Sequence, residues 1–223
     1  MQGLIDTFFN VRIMAQYLPK VLEGMLVTIA LAIAVVLTGL ALGFVLAVIR
    51  SARWKAVNAL IVLFADVFRA VPPLVILIII YFAFPTIGVR FSGFESAWIG
   101  LSLVLAAFAE EVVWAGILSV PRGQWEAARS SGLDFAQTMR LVVLPQALRL
   151  TVAPLTSRAI VITKNTALAS VVAVGEILYQ AQAAYSFSYN PSPLTLGAIA
   201  YLILFIPLVW LGRWVETRFA WKR

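Results

Sequence analysis

The sequence has no cysteine and no histidine in 223 residues. The first absence rules out disulfides and thiol nucleophiles, the second rules out imidazole bases. Together they remove the commonest zinc ligands, so no metal site is expected. Charge is scarce too. Only 12% of residues are Asp, Glu, Lys or Arg while 62% are hydrophobic, whereas a soluble domain is roughly 25% charged. With a mean hydropathy of +0.97, the chain falls in the membrane class before any motif is considered. Negative charge is the scarcest: 10 acidic residues against 17 basic ones give a net charge of +7. In a soluble protein that balance points to nucleic acid. Here the basic residues flank apolar runs, so they read as an orientation signal in contact with anionic lipid headgroups, and nucleic acid is not an expected partner. A phosphate-cradling G-x-x-x-x-G-K-[ST] stretch is also missing. Any ATP hydrolysis must therefore be done by another subunit.

What is present is a series of apolar runs. The fold class expected is an all-α membrane protein with about five transmembrane helices, forming one domain over 1–223. The spans lie at about 21–49, 57–84, 97–118, 151–178 and 194–211, since crossing a bilayer takes about 20 apolar residues. Residues 1–20 carry a weak amphipathic pattern (Leu4, Ile5, Phe8, Phe9, Ile13, Met14, Tyr17) and read as a segment at the membrane surface. They lack the short apolar core and A-x-A site of a signal peptide. Span two holds Pro72-Pro73 near its middle. Proline removes a backbone donor and disfavours helix before it, so two half-helices joined near Ala70–Pro73 are expected. Residues 180–193 read as a loop, and 119–150 as a long polar connection. Five spans put the termini on opposite sides. Arg50, Arg53, Lys55, Arg122, Arg129, Arg140, Arg149, Arg213, Arg218, Lys222 and Arg223 gather on one side, against Arg12, Lys20 and Arg90 on the other. By the positive-inside rule the N-terminus is outside, and the polar connection and C-terminus are cytoplasmic.

Charges inside spans cost roughly 2.5–3.5 kcal/mol each on insertion scales, so they face a cavity or a partner. Asp66 and Arg69 are three apart on one helix face and could neutralise each other. Glu110 and Glu111 point in different directions, and one could pair with an arginine of a neighbouring span. Lys164 lies near the centre of span four, followed by Asn165 and Thr166, which can hydrogen-bond across helices. Glu176 is near the outer end and could reach water. These groups put both signs of charge near the depth at which transporters bind substrates. The expected substrate-binding residues are thus Arg69, Glu110, Glu111, Lys164, Asn165 and Thr166, with cations meeting a carboxylate and carboxylates meeting an ammonium.

The polar stretch Glu126–Pro145 reads EAARSSGLDFAQTMRLVVLP. It resembles the cytoplasmic loop of ABC importer permeases: E-A-A, three residues, G, nine residues, I, one residue, L-P, with Val142 where Ile is usual. Elsewhere FRAVPPL (68–74) resembles F-R-G-T-P-L-L. EVVWAGILSVPRGQWEAAR (111–129) resembles A-E-I-F-R-A-G-I-x-S-V-P-x-G-Q-x-E-A-A-R, and KNTAL (164–168) resembles K-D-T-S-L. The chain is similar over most of 20–215 to the polar amino acid permeases of bacterial ABC uptake systems. Trp114 stands where arginine is common and Glu110 where a small residue is usual, and an extra carboxylate could favour cationic substrates such as arginine, lysine or an opine.

The resemblance implies a type I importer permease fold in the bacterial cytoplasmic (inner) membrane, working by alternating access and not itself an enzyme. It implies a second permease subunit (a copy or a sister chain), two cytoplasmic ATPase subunits that carry ATP and magnesium, and a periplasmic or lipid-anchored substrate-binding protein. This chain itself needs no cofactor. Glu126, Ala127, Ala128, Gly132, Leu144 and Pro145 would couple it to the ATPase, and 180–193 would touch the binding protein. Two rivals remain. A gradient-driven secondary transporter or channel would use Glu110, Glu111 and Lys164 as a proton relay. An intramembrane enzyme would need a Ser–Lys pair or a carboxylate dyad.

Overall fold

The computed structural model describes residues 2–52 and 54–219; Arg53, Lys222 and Arg223, counted above for orientation, lie outside them. Among the described residues ten α-helices follow one another: α1 (Gln2–Phe8), α2 (Val11–Ser51), α3 (Lys55–Ala70), α4 (Pro73–Ile78), α5 (Gly93–Ser119), α6 (Arg122–Ser130), α7 (Phe135–Thr138), α8 (Leu144–Lys164), α9 (Ile177–Ser188) and α10 (Ser192–Phe219). Short π segments at Ile79–Ala83 and Met139–Val143, and 3-10 segments at Phe84–Ile87 and Asn165–Val172, extend or join them. No strand occurs among the described residues. Gly93–Ser119 and Ser192–Phe219 are helices long and apolar enough to cross a membrane, as is the stretch Asp6–Ser51, nearly all of it α2. The broken pairs Lys55–Ala70 with Pro73–Ile87 and Phe135–Val172 with Ile177–Ser188 bring the spans to as many as five. Leu26, Leu37, Leu60 and Ile203 are more than half exposed, as a lipid-facing coat requires.

By internal contacts the chain forms two compact units, Met1–Val36 with Pro72–Leu101 and Val161–Trp210, and Leu37–Val71 with Ser102–Ile160 and Leu211–Arg223. The first unit has a core of Val21, Ile177, Leu196 and Ala200, with Met14, Met25, Tyr201 and Leu204 packed against it. α2 passes so close to residue 176 that a Cβ on Gly24 would lie 2.9 Å from the Glu176 carbonyl. Small residues allow this kind of backbone approach inside membranes. The second unit is centred on Ala47, Val113, Ile117, Val120, Met139, Val143 and Ala147. Its corresponding close approach is Gly43, where a Cβ would sit 2.6 Å from that of Ala109.

Several boundaries differ from the sequence reading. Only Gln2–Phe8 forms a separate N-terminal helix; from Val11 the chain belongs to α2, which runs on through Pro19. Asn10 starts it, its side-chain oxygen accepting the Ile13 N–H at 3.2 Å, which is N-cap behaviour. Residues 180–193, read as a loop, are mostly α9. Glu176 caps that helix and Tyr189, at φ +52°, ends it. The capping carboxylate outweighs the polar and aromatic composition that suggested a loop. Glu176 itself does not reach water: it is fully buried. Span four changes from α to 3-10 winding at Asn165 and breaks at Ala173, whose φ is +60°. Span five extends to Phe219.

Candidate functional site

The polar motif folds as two helices joined by a tight corner. α6 ends in a Schellman arrangement: the Leu133 N–H donates to the Ala128 carbonyl at 3.3 Å and the Gly132 N–H to the Arg129 carbonyl at 3.0 Å. This closure needs a left-handed residue after the helix, and Gly132 supplies it with φ +88°. Nothing lies within 4 Å of where its Cβ would be, so glycine is required for its backbone conformation and not for space. Two residues on, Asp134 opens α7 with a reciprocal capping box. Its carboxylate accepts the Gln137 N–H at 2.7 Å and its own N–H donates to Gln137 Oε1 at 2.9 Å. The Trp125 and Phe135 rings stack at 5.9 Å across the corner.

Within this element Glu126 and Ala127 are exposed, as are Gly132 and Pro145, while Ala128 turns inward. Leu144 packs against the core of the second unit. A cavity of about 800 Å³ opens beside α6, lined among others by Ser51, Trp114, Arg122, Trp125, Glu126 and Arg129. The result is a short, stiff helical corner with a ridge of exposed small and charged side chains, suited to lying in a groove on a soluble partner.

The charged residues of the spans sort into separate arrangements. Glu110 is fully buried, and one nitrogen of Arg50 donates to both of its oxygens, at 2.9 and 3.2 Å. The Arg50 guanidinium also lies 4.8 Å from the centroid of the Trp114 ring. The two departures from the family pattern on α5, Glu110 and Trp114, both hold Arg50. This geometry removes the reason for linking Glu110 to a cationic substrate. Glu111 also meets an arginine: its carboxylate forms an ion pair with Arg69 at 2.9 Å, with the glutamate half exposed, and Asp66 lies 3.8 Å from the same guanidinium.

Lys164, Asn165 and Thr166 belong to the first unit. Lys164 is exposed at the point where α8 gives way to 3-10 winding, and Asn165 is half-buried. Thr166 is buried, and its hydroxyl donates to the Thr163 carbonyl at 2.7 Å instead of reaching across to another helix. In the same unit, the buried Glu176 accepts the N–H groups of Leu178 and Tyr179 at 3.0 and 2.7 Å and the Tyr201 hydroxyl. Thr28, from α2, accepts the Ile177 N–H at 3.3 Å. Of the six expected substrate residues, Arg69 and Glu111 meet each other, Glu110 meets Arg50, and the other three lie on the first unit.

Two participants escape the sequence pattern. Tyr201 could be found only through its partner, since nothing local distinguishes it from other span tyrosines. Arg158 carries a plainer signal, a guanidinium well inside the apolar stretch 151–178. It lies 4.6 Å from the centroid of Phe108, and Arg69 lies 5.9 Å from the same ring.

Comparison with known proteins bears on the whole chain. Its fold is similar to a solved structure described as an amino acid ABC transporter with histidines, with a TM-score of 0.84, 29% identity, and coverage of 92% of this chain and 96% of that one. An inward-facing MetNI methionine ABC transporter matches with a TM-score of 0.73 at 22% identity, a likeness of fold alone. These neighbours identify the type I importer permease fold. In sequence the chain is 36% identical to a probable amino-acid ABC transporter permease of Bacillus subtilis, YckA, over 79% of this chain and 78% of the relative. It is 30% identical to the B. subtilis arginine transport system permease ArtQ, over 90% and 93%. Residues 39–221 match the family model described as the inner membrane component of binding-protein-dependent transport systems, and the chain is a membrane-embedded member of that family.

Proposed function

We propose that this chain is the membrane-spanning subunit of an ATP-driven importer that moves a polar amino acid or a related compound into the cell by alternating access. The observation that carries the reading is the corner at Gly132. Two capped helix ends meet there over two linking residues, leaving Glu126 and Ala127 on an exposed ridge. A surface loop has no need of such closure, whereas an element that passes rigid-body motion from a soluble motor to the spans does. The relatives named as amino-acid and arginine permeases support the substrate class.

In this reading Glu126, Ala127, Ala128, Gly132, Leu144 and Pro145 form the element that docks on a cytoplasmic ATPase, which carries the ATP and magnesium. The excess of basic residues on that side supports a cytoplasmic motif and C-terminus and an N-terminus outside. A second permease subunit completes the pathway, and an external binding protein delivers the substrate, with α9 the candidate contact. Arg69 and Glu111, half exposed beside the break of span two, are substrate ligands in unit two. Lys164 and Asn165 are candidates in unit one. Thr166, whose hydroxyl is engaged by the backbone, and Glu110, engaged by Arg50, position their neighbours instead.

The test is to purify the chain from its own membrane in mild detergent and identify its companions. An ATPase subunit recovered with the wild type, and lost with Glu126→Lys or Gly132→Pro, supports the reading. A permease that transports without any ATPase, driven by an ion gradient, would overturn it.

A further inference from the structure

Among the described residues, a cation well inside span four stands without a carboxylate partner. Arg158 lies on α8, a helix with no acidic residue anywhere in Leu144–Lys164. Its side chain is exposed and stacks on Phe108, and no carboxylate pairs with it among the described residues. The carboxylates of α3 and α5 are already engaged, Glu110 by Arg50 and Glu111 by Arg69, with Asp66 leaning on the same Arg69. A bare guanidinium at membrane depth does not face lipid; it faces water or a ligand. The Phe108 ring that it covers is shared with Arg69, the last residue but one of α3 before the chain breaks at Val71–Pro72. Irregular backbone at that depth has to line protein or a watery path, and broken helices are where transporters hold their substrates.

We propose that Arg158 is a specificity-determining residue that binds a carboxylate on the substrate's side chain, so that the transported compound is an amino acid with a second carboxylate. This rests on the importer reading above. The chemistry follows from the donor. Guanidinium presents a planar fork that matches a carboxylate with two parallel hydrogen bonds. A cationic side chain would meet like charge at Arg158, and a neutral amide would leave the fork without an anion. The substrate preference drawn from Glu110 is thereby reversed in sign.

Glutamate and glutamine are the discriminating probes, because they share the α-carboxylate and ammonium and differ only in the side-chain group. Binding would be measured on the permease copurified with its ATPase, without the binding protein, whose own selectivity would otherwise enter. Glutamate should bind at least about tenfold more tightly than glutamine or arginine, the ratio that one charge-assisted contact supplies. Arg158→Gln should bring glutamate down to the level of glutamine and leave glutamine unchanged, while Arg158→Lys keeps the order of preference. Equal wild-type affinity for glutamate and glutamine, tighter arginine, or equal loss of both probes in Arg158→Gln would overturn the inference. Should Arg158→Gln fail to assemble, the wild-type ratio and Arg158→Lys still decide it. Binding of no amino acid of any charge would overturn the importer's substrate class as well, which separates the two failures.

Discussion

On α5 two consecutive carboxylates, Glu110 and Glu111, stand about 100° apart around the helix axis and meet different surroundings. Glu110 is fully buried and gives both oxygens to Arg50, itself stacked on Trp114. Glu111 is 49% exposed and shares Arg69 with Asp66. One residue type at one depth thus serves as an internal tie and as an accessible polar surface. The difference lies in what surrounds each pair. A pair sealed from water is expensive to break, because the survivor keeps a buried charge. A pair open to water is cheap to break and can exchange its partner for a ligand.

The largest effect expected from this contrast is that of Arg50→Ala, which strands the Glu110 carboxylate. It should cost about 3–5 kcal/mol, read as a fall in the thermal stability of the solubilised permease. Replacing both partners, Arg50→Met with Glu110→Leu, should recover most of the loss; if the double variant is as unstable as the single one, the tie is not what holds this region. Next comes Tyr201→Phe. Glu176 is as buried as Glu110 but is held by neutral donors, and losing one hydrogen bond to a carboxylate should cost about 1.5–3 kcal/mol in the same measurement. Gly132→Ala puts a Cβ on a residue at φ +88° and should cost about 1–2 kcal/mol, seen as weaker retention of the ATPase on copurification. The smallest stability change belongs to Glu111→Gln, at about 0–1 kcal/mol, yet this variant should lower uptake measurably. Destabilisation by Glu111→Gln equal to that of Arg50→Ala would erase the distinction between the two carboxylates.

Much of this was legible in the sequence for specific reasons. The break in span two shows because Pro72-Pro73 removes donors in an otherwise unbroken apolar run. The corner at Gly132 shows because glycine sits just past a helix-favouring stretch, although the capping pair Asp134 and Gln137 was not read from the sequence. Partners at long range were not legible. Arg50 reads as a flanking charge for orientation, and nothing local connects it to Glu110, sixty residues on. α9 was hidden because Tyr185, Phe187, Tyr189 and Asn190 suggest a loop, while its cap, Glu176, reads as a carboxylate heading for water. In each case the local composition is ambiguous and a tertiary contact decides it.

The π segment at Met139–Val143, between α7 and α8, bears on how this protein can change over generations. A π turn spaces its hydrogen bonds one residue further apart than an α turn. Deleting a single residue there would let the helix wind regularly and leave α7 and the corner facing as before, whereas a deletion in the regular α turns of α8 would turn them by about 100°. The docking ridge would then face away from its partner although every docking residue was still present. A change of length should therefore be better tolerated in the π segment than in α8 itself.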